Sequence, residues 1–392
     1  MSEHSLNVAY VGLSGFPFGY AAISRQKLIC QGLQNAGASV KVICSRAVIR
    51  GNKILPRSGE FEGVSYVYAV NPLRNGSFFI RNLLRFFEPW LELLLLLKLN
   101  KQKRFTHVIV SNNNEIINSI WYSAIAKLLG SKVIFSLVEL YVPASTQSLK
   151  SKLNHYLFLR FGLQLYDAYL PISSYIERYF RNVPRPSLLL PIMVDVDKVT
   201  RVEPVDVTGS ARFIFCGSAG YPNTIQFCIQ SFEQMNNDSA ELHIVAGGSD
   251  LEMAGVKRLI NKSQNANRIK HHSNLSEAEL FSLYKSASAL LIPLFNTVQD
   301  LARFPHKLGE YLATGRPVIT SSCCEISHYL RQREQALFAE ADNVNQFAGW
   351  MDFVIDNPNE AQRIGLEGRH ICIEKFNHLK LGALLYDFLK KM

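Results

Sequence analysis

Short apolar runs rich in Val and Ile alternate with helical patterns of ten or more residues along nearly the whole chain. Parallel strands need a crossover between them, usually a helix, so this rhythm reads as parallel α/β sheet. In the first half the expected strands are 7–12, 40–44, 64–70, 106–111, 132–137 and 168–172. The expected helices there are 20–36, 78–100, 115–129, 150–166 and 173–180. The rhythm then restarts, with strands at 213–216, 242–246, near 269, 289–293 and 317–321. Helices at 223–235, 251–262, 277–286, 305–314, 345–356, 360–376 and 378–390 accompany them. At ~100–200 residues per domain, 392 residues make two such domains.

The stretch from Pro191 to Arg212 carries Pro204 and Gly209 and reads as a surface linker. The expected division is therefore 1–192 and 193–376, each a Rossmann-like, doubly wound domain, with a cleft between them as the ligand site. About half the residues (48%) are hydrophobic and 19% charged, which excludes disorder as the main state.

Seven cysteines, an odd number without a Cys-x-x-Cys, exclude a disulfide framework or a zinc site. Cys30, Cys216, Cys228 and Cys372 lie in stretches that read as buried. Met1-Ser-Glu-His-Ser has no basic or apolar leader pattern, so no signal peptide is expected. The longest apolar run, Leu93–Leu97, is far below the ~20 residues that span a bilayer. A cytoplasmic protein is expected.

The net charge of +10 is unevenly spread. Residues 1–200 hold 23 Lys/Arg against 11 Asp/Glu, whereas 201–392 hold 19 against 21. The first half suits an anionic partner. Its helix at 78–100 combines Phe78, Phe79, Phe86, Phe87, Trp90 and the leucine run with Arg81, Arg85, Lys98, Lys101, Lys103 and Arg104. Such a helix can lie in a membrane interface, each basic residue adding ~1 kcal/mol at an anionic surface. Burial against the sheet with solvated basic ends is the plainer reading. Peripheral contact with the cytoplasmic face of the inner membrane is favoured by the charge imbalance. No nucleic-acid motif appears.

Three segments could carry chemistry. Gly12-x-x-Gly15-x-x-x-Gly19 follows the first strand and fits either a plain turn or a loop that approaches an anion. It is not the dinucleotide spacing, and Cys44-Ser-Arg ends the second strand where an acidic residue is wanted. Glu139, after the strand 132–137, is a candidate for acceptor binding or proton transfer; Asn112–Asn114 with Glu115 form a polar cluster at the same rim or simply cap the next helix.

Phe304-Pro-His-Lys-Leu-Gly-Glu310-Tyr-Leu-Ala-Thr-Gly-Arg-Pro-Val-Ile319 is the most specific. Pro305 can open a helix and Gly315 close it, with the N-terminus a seat for a diphosphate. Glu310 could accept from vicinal ribose hydroxyls. An ordinary helix with Glu310 paired to Lys307 fits the same residues.

This last segment resembles the donor-binding signature of GT-B glycosyltransferases, the family 4 type of bacterial polysaccharide synthesis above all. Glu310-Tyr-Leu-Ala-Thr-Gly-Arg-Pro-Val matches it residue by residue. Phe16-Pro-Phe-Gly-Tyr-Ala-Ala with Arg25, Tyr166–Ser173, Leu190–Asp195 and Phe213–Gly217 are similar to other family segments in order and spacing.

The resemblance implies a GT-B fold whose last helix, within 377–392, returns to the first domain. It implies retaining transfer of a sugar from a nucleotide-sugar to a saccharide or lipid-linked saccharide. Glu310 would hold the ribose. Lys307 and Arg303, with the backbone at Phe304, Pro305 and His306, would lie at the diphosphate. Gly15 would approach the phosphate from the first domain, and Gly217 and Ser218 would begin a loop beside the nucleotide. Lys307 and Glu139 would be the catalytic candidates. No metal or other cofactor is implied.

Two features depart from the family pattern. Ala302 stands where a second glutamate is usual, and the loop after 213–217 lacks an Arg/Lys pair. A GT-B sugar-nucleotide epimerase and a non-catalytic scaffold are the alternatives.

Overall fold

The computed structural model describes residues 6–19, 21–50, 53–70, 78–111, 115–140, 148–205 and 209–392, with backbone alone at 49–50, 53–54 and 78–86. It contains two compact units, Met1–Met193 with His378–Met392, and Val194–Asn377.

The first unit runs β1 (Asn7–Val11), α1 (Ala21–Asn35), β2 (Ser39–Arg46), β3 (Ile49–Arg50), β4 (Lys53–Ile54), β5 (Ser58–Phe61) and β6 (Val64–Val70). It continues through α2 (Phe78–Gln102), β7 (His107–Val110), α3 (Ile116–Leu129), β8 (Lys132–Leu137), α4 (Leu149–Arg160), β9 (Ala168–Pro171) and α5 (Ser174–Phe180). Its main sheet has the order β5-β6-β2-β1-β7-β8-β9. Every pairing is parallel except the antiparallel edge β5–β6.

Every residue of β1 is buried, as a central strand covered on both faces requires. Val8 pairs with Val40 on one side and His107 on the other. The strand order reverses at β1, and Gly12 leaves it with φ +90°. A Cβ there would stand 2.3 Å from the Ser111 carbonyl oxygen, so only glycine fits.

The second unit opens with α6 (Val196–Arg201) and β10 (Arg212–Ser218), then α7 (Pro222–Glu233), β11 (Glu241–Gly247), α8 (Asp250–Lys262) and β12 (Ile269–His272). There follow α9 (Glu277–Lys285), β13 (Ala289–Ile292), α10 (Val298–Ala302), α11 (Lys307–Ala313), β14 (Val318–Ser321), β15 (Leu337–Ala339), α12 (Val344–Asp356) and α13 (Pro358–Lys375). Its parallel sheet reads β12-β11-β10-β13-β14-β15, and the order reverses at β10. Ser249 with Glu252, and Ser276 with Glu279, form capping boxes that start α8 and α9.

The last helix, α14 (His378–Lys390), packs on α1 in the first unit. Small residues permit this. A Cβ on Gly382 would lie 2.3 Å from Gly32 Cα, and one on Gly32 would lie 2.4 Å from the His378 carbonyl. Arg25 of α1 is buried, and its guanidinium donates to the Pro191 and Leu190 carbonyls at 2.5 and 2.6 Å. Burial brings that guanidinium down to about 10.

Four expectations need correction. The stretch from Pro191 is a surface linker only in its later part, where 203–205 and Gly209 are exposed; its start is packed. Leu190, Ile192, Met193 and Val194 are buried, Val194 bridges Asn377, and Asp195 caps α6. The helix expected over 150–166 stops at Arg160, and Gly162–Leu165 is a tighter turn whose Leu163 carbonyl accepts from the Tyr169 hydroxyl. Glycine is a weak helix former, which explains the break. Cys216 is half-buried rather than buried, while Cys44 joins Cys30, Cys228 and Cys372 in the core. The helix expected over 305–314 is the shorter α11.

Candidate functional site

In an open parallel sheet the strand order reverses at a crevice outside the carboxyl ends, where ligands bind. In the second unit that crevice lies beyond β10 and β13. The turn after β10 carries Gly220 and Tyr221, and the segment after β13, with α10, carries Phe295, Thr297, Gln299, Asp300 and Arg303. Together with the start of α7 they line a cavity of about 180 Å³.

Arg303 is fixed there from two sides. Its guanidinium lies 2.5 Å from Asp300 Oδ1 and 5.0 Å from the centre of the Tyr221 ring. Asp300 is buried, and its other oxygen accepts from the Phe295 backbone at 2.8 Å. Thr297 caps α10, accepting from the Asp300 N–H. Ala302 is buried and presents no polar group. Gly217 and Ser218 end β10, and the Ser218 Oγ accepts from the Gly220 N–H at 3.1 Å, tightening the turn.

α11 lies behind the same edge. Its Tyr311 hydroxyl accepts from the Cys216 N–H at 2.9 Å, tying the end of β10 to the helix. Glu310 is 9% exposed, and its Oε2 accepts from Lys307 Nζ at 2.8 Å. His306 Nε2 stands 3.8 Å from Glu310 Oε1. Burial alone would lower the Lys307 ammonium, but Cys216 and Glu310 outweigh it and hold the group above its usual range. Burial pushes the Cys216 thiol up, against a downward pull from Lys307. The Lys307 side chain is 31% exposed, so it is not sealed off from a second anion.

The opening turn of α11 is partly occupied. The Leu308 N–H donates to the Pro305 carbonyl and the Gly309 N–H to that of His306. The Phe304 side chain is core, packed against Tyr329 and Phe376 at 5.2 and 5.6 Å. Any ligand at Phe304 would meet backbone alone.

The second unit thus gathers Gly217, Ser218, Arg303, Pro305, His306, Lys307 and Glu310 at one edge. Gly15 and Glu139 belong to the first unit. Gly15 has φ +113°, a conformation reserved for glycine, and Glu139 is half-buried after β8. Sequence reasoning missed the Tyr221 ring beneath Arg303, which no local signal could reveal. It also missed the pairing of Asp300 with Arg303, which their three-residue spacing could have suggested.

The basic helix is α2, packed on β2 and β6. Leu96 is buried, but Phe87, Trp90 and Leu94 face outward at 46%, 52% and 61% exposure. Lys98, Lys101, Lys103 and Arg104 are exposed as well. The Arg81 and Arg85 side chains, and Asn112–Asn114, lie outside the described residues. α3 packs on both α2 and α4, with Trp121 at 5.1 Å from Trp90. It exposes Ile117, Ile120 and Leu128, and α4 exposes Leu149, Leu153 and Tyr156. Among the described residues no helix is long and apolar enough to cross a membrane.

Residues 210–357 match the family model described as Glycosyl transferases group 1. Among solved structures the chain is similar to sucrose-phosphate synthase from Thermosynechococcus elongatus, at 15% identity and a TM-score of 0.77 over 98% of both chains. It is similar to HepE of Anabaena in complex with UDP-glucose, at 10% identity and a TM-score of 0.72, covering 99% of this chain and 100% of that one. The lipopolysaccharide outer core galactosyltransferase WaaB is a third, at 16% identity and a TM-score of 0.63, covering 99% and 100%. No curated protein matches in sequence. The fold is that of GT-B glycosyltransferases, two α/β units with parallel sheets. Within the second unit, residues 210–357 are what matches the group 1 glycosyltransferase model.

Proposed function

We propose that this chain is a glycosyltransferase that takes a nucleoside diphosphate sugar as donor, with retention at the anomeric carbon, and a saccharide or lipid-linked saccharide as acceptor, in cell-surface polysaccharide synthesis. The observation that carries the reading is the nearly buried Glu310 beside Lys307, at the edge where β10 reverses the sheet order. A carboxylate with Oε1 still available accepts from vicinal hydroxyls of a ribose, while Lys307 turns towards the diphosphate. Arg303, held by Asp300 over Tyr221, lies in the adjoining cavity as a second cation.

The chemistry is mostly positioning and stabilisation of the departing diphosphate. Lys307 and Arg303 supply positive charge in place of a divalent metal, so turnover should survive a chelator. The choice of a nucleotide-sugar is supported by HepE, whose solved complex contains UDP-glucose.

The acceptor reading is supported by the first unit. α2, α3 and α4 expose apolar residues beside a cluster of basic ones, as suits a protein resting on an anionic membrane surface. Glu139 is the proposed acceptor-side carboxylate. A cytoplasmic location, peripheral on the inner membrane, follows from the same reading.

Calorimetric titration of UDP and GDP into the whole protein tests the proposal, with Glu310→Ala as control. Binding of one nucleotide, weakened by the substitution, is expected. Ala302, buried and apolar, favours a second reading in which the chain is a scaffold that no longer turns over; failure of both nucleotides to bind would support it.

A further inference from the structure

Cys323 and Cys324 follow β14 on the same edge of the second sheet, and nothing in the sugar-transfer reading uses them. Their sulfur atoms lie 3.0 Å apart. Neighbouring side chains in ordinary extended or helical backbone point apart, so this contact needs an unusual backbone. Cys324 supplies it, with φ +68° and ψ −167°, a region that is nearly glycine's alone. The turn is pinned on both sides of the pair. The Ser322 N–H donates to the Ala339 carbonyl at 2.7 Å, and a short helical turn, Glu325–His328, follows directly. The Cys324 thiol also reaches the Phe295 carbonyl at 3.8 Å, on the loop that carries Asp300 and Arg303.

Both cysteines are half-buried, so a small reagent can reach them, unlike the core thiols Cys30, Cys44, Cys228 and Cys372. The two are also unequal. A hydrogen bond from Cys324 draws the Cys323 thiol below its ordinary range, and the same bond pushes Cys324 up. The thiolate is the nucleophile in thiol chemistry.

We infer that Cys323 and Cys324 form a redox modification site, in which a hydroperoxide converts the adjacent thiols to a disulfide between neighbouring residues. Cys323, as thiolate, attacks one peroxide oxygen; the O–O bond breaks, and a sulfenic acid forms as water leaves after protonation. The Cys324 sulfur then attacks the Cys323 sulfur and expels the hydroxyl as a second water. Two thiols and one hydrogen peroxide thus become one disulfide and two waters. Sulfur is oxidised, peroxide oxygen is reduced, and dithiothreitol reverses the step by exchange.

The test treats the whole protein with a small excess of hydrogen peroxide, alkylates it and maps every cysteine by peptide mass. The peptide holding 323 and 324 should lose two hydrogens and refuse alkylation, and dithiothreitol should restore two alkylated sites. Cys324→Ser should stop at a sulfenic acid on Cys323, which dimedone traps. Two freely alkylated thiols after peroxide would overturn the inference, as would over-oxidation of Cys323 with no disulfide or pairing of either sulfur with a different cysteine. The readout is sulfur alone and stands or falls apart from the donor site.

Discussion

Lys307 Nζ lies 2.8 Å from Glu310 Oε2, one turn along α11, while Glu310 Oε1 lies 3.8 Å from His306 Nε2. The carboxylate is nearly buried yet keeps an acceptor in reserve. Removing it should weaken binding of the preferred nucleotide by tenfold or more, since hydrogen bonds to charged groups contribute ~1.5–3 kcal/mol. Glu310→Gln keeps one acceptor and should lose less than Glu310→Ala. Calorimetry on the three proteins decides, and equal affinities would remove Glu310 from the site.

Asp300 is buried and depends on Arg303 and the Phe295 N–H for its partners. Arg303→Ala strands the carboxylate, so thermal stability should fall by about 1–3 kcal/mol. Arg303→Ala with Asp300→Ala should recover part of that loss, because the uncompensated charge goes too. Additive losses in the double variant would mean that the two side chains are not coupled.

Glu92 of α2 is 3% exposed and accepts from the Tyr122 hydroxyl at 3.3 Å on both oxygens. Burial pushes it up to about 7, assisted by Glu88 and opposed by Tyr122. The folded state therefore holds this proton more tightly than the unfolded chain does. Its contribution is complete below the unfolded carboxyl range near 4.5 and is lost as pH rises through about 7. Roughly 2–4 kcal/mol should disappear across that interval. Glu92→Gln should flatten this part of the profile in denaturant titrations at graded pH; an unchanged slope would contradict the assignment.

The outward apolar face of the first unit should sediment with vesicles that contain anionic lipid and release them at high salt. Replacing Trp90 and Leu94 together with serine should cut the bound fraction several-fold, with the melting temperature falling only by what the Trp90–Trp121 contact contributes. Binding that ignores lipid charge would sink the membrane reading.

Much of this was legible in the sequence, and the exceptions have physical causes. The strands and long helices could be read because apolar period, glycine and proline agree, as at β10 and along Pro305–Val318. The pairing of Lys307 with Glu310 followed from spacing. The edge strands β3, β4, β5 and β15 were missed because two to four residues carry no period. The role of Tyr221 escaped because its partner, Arg303, is far away in sequence and only the sheet order unites their loops. The burial of Leu190–Val194 was hidden by Pro191, which reads locally as a loop whatever packs around it.

The contact between Gly32 and Gly382 offers a plain packing test. Gly382→Ala places a methyl where the backbone of α1 already stands, and forcing helices apart costs ~1–3 kcal/mol. A melting temperature equal to that of the parent would mean that α1 and α14 do not meet as closely as described.

That contact also sets an order of events on the ribosome. The whole second unit is spelled out between the two pieces of the first. At ~5–20 residues per second, α1 emerges and then waits roughly 20–70 s, while the rest of the first piece and the whole second unit are translated, before α14 can cover it. The nascent first unit must pass that interval with the face of Leu28, Gly32 and its neighbours unsealed, while the second unit, contiguous in the message, can finish on its own. A chain rewired so that residues 378–392 precede residue 6 would abolish the wait, and its yield on synthesis in a chaperone-free extract would measure how much that delay matters.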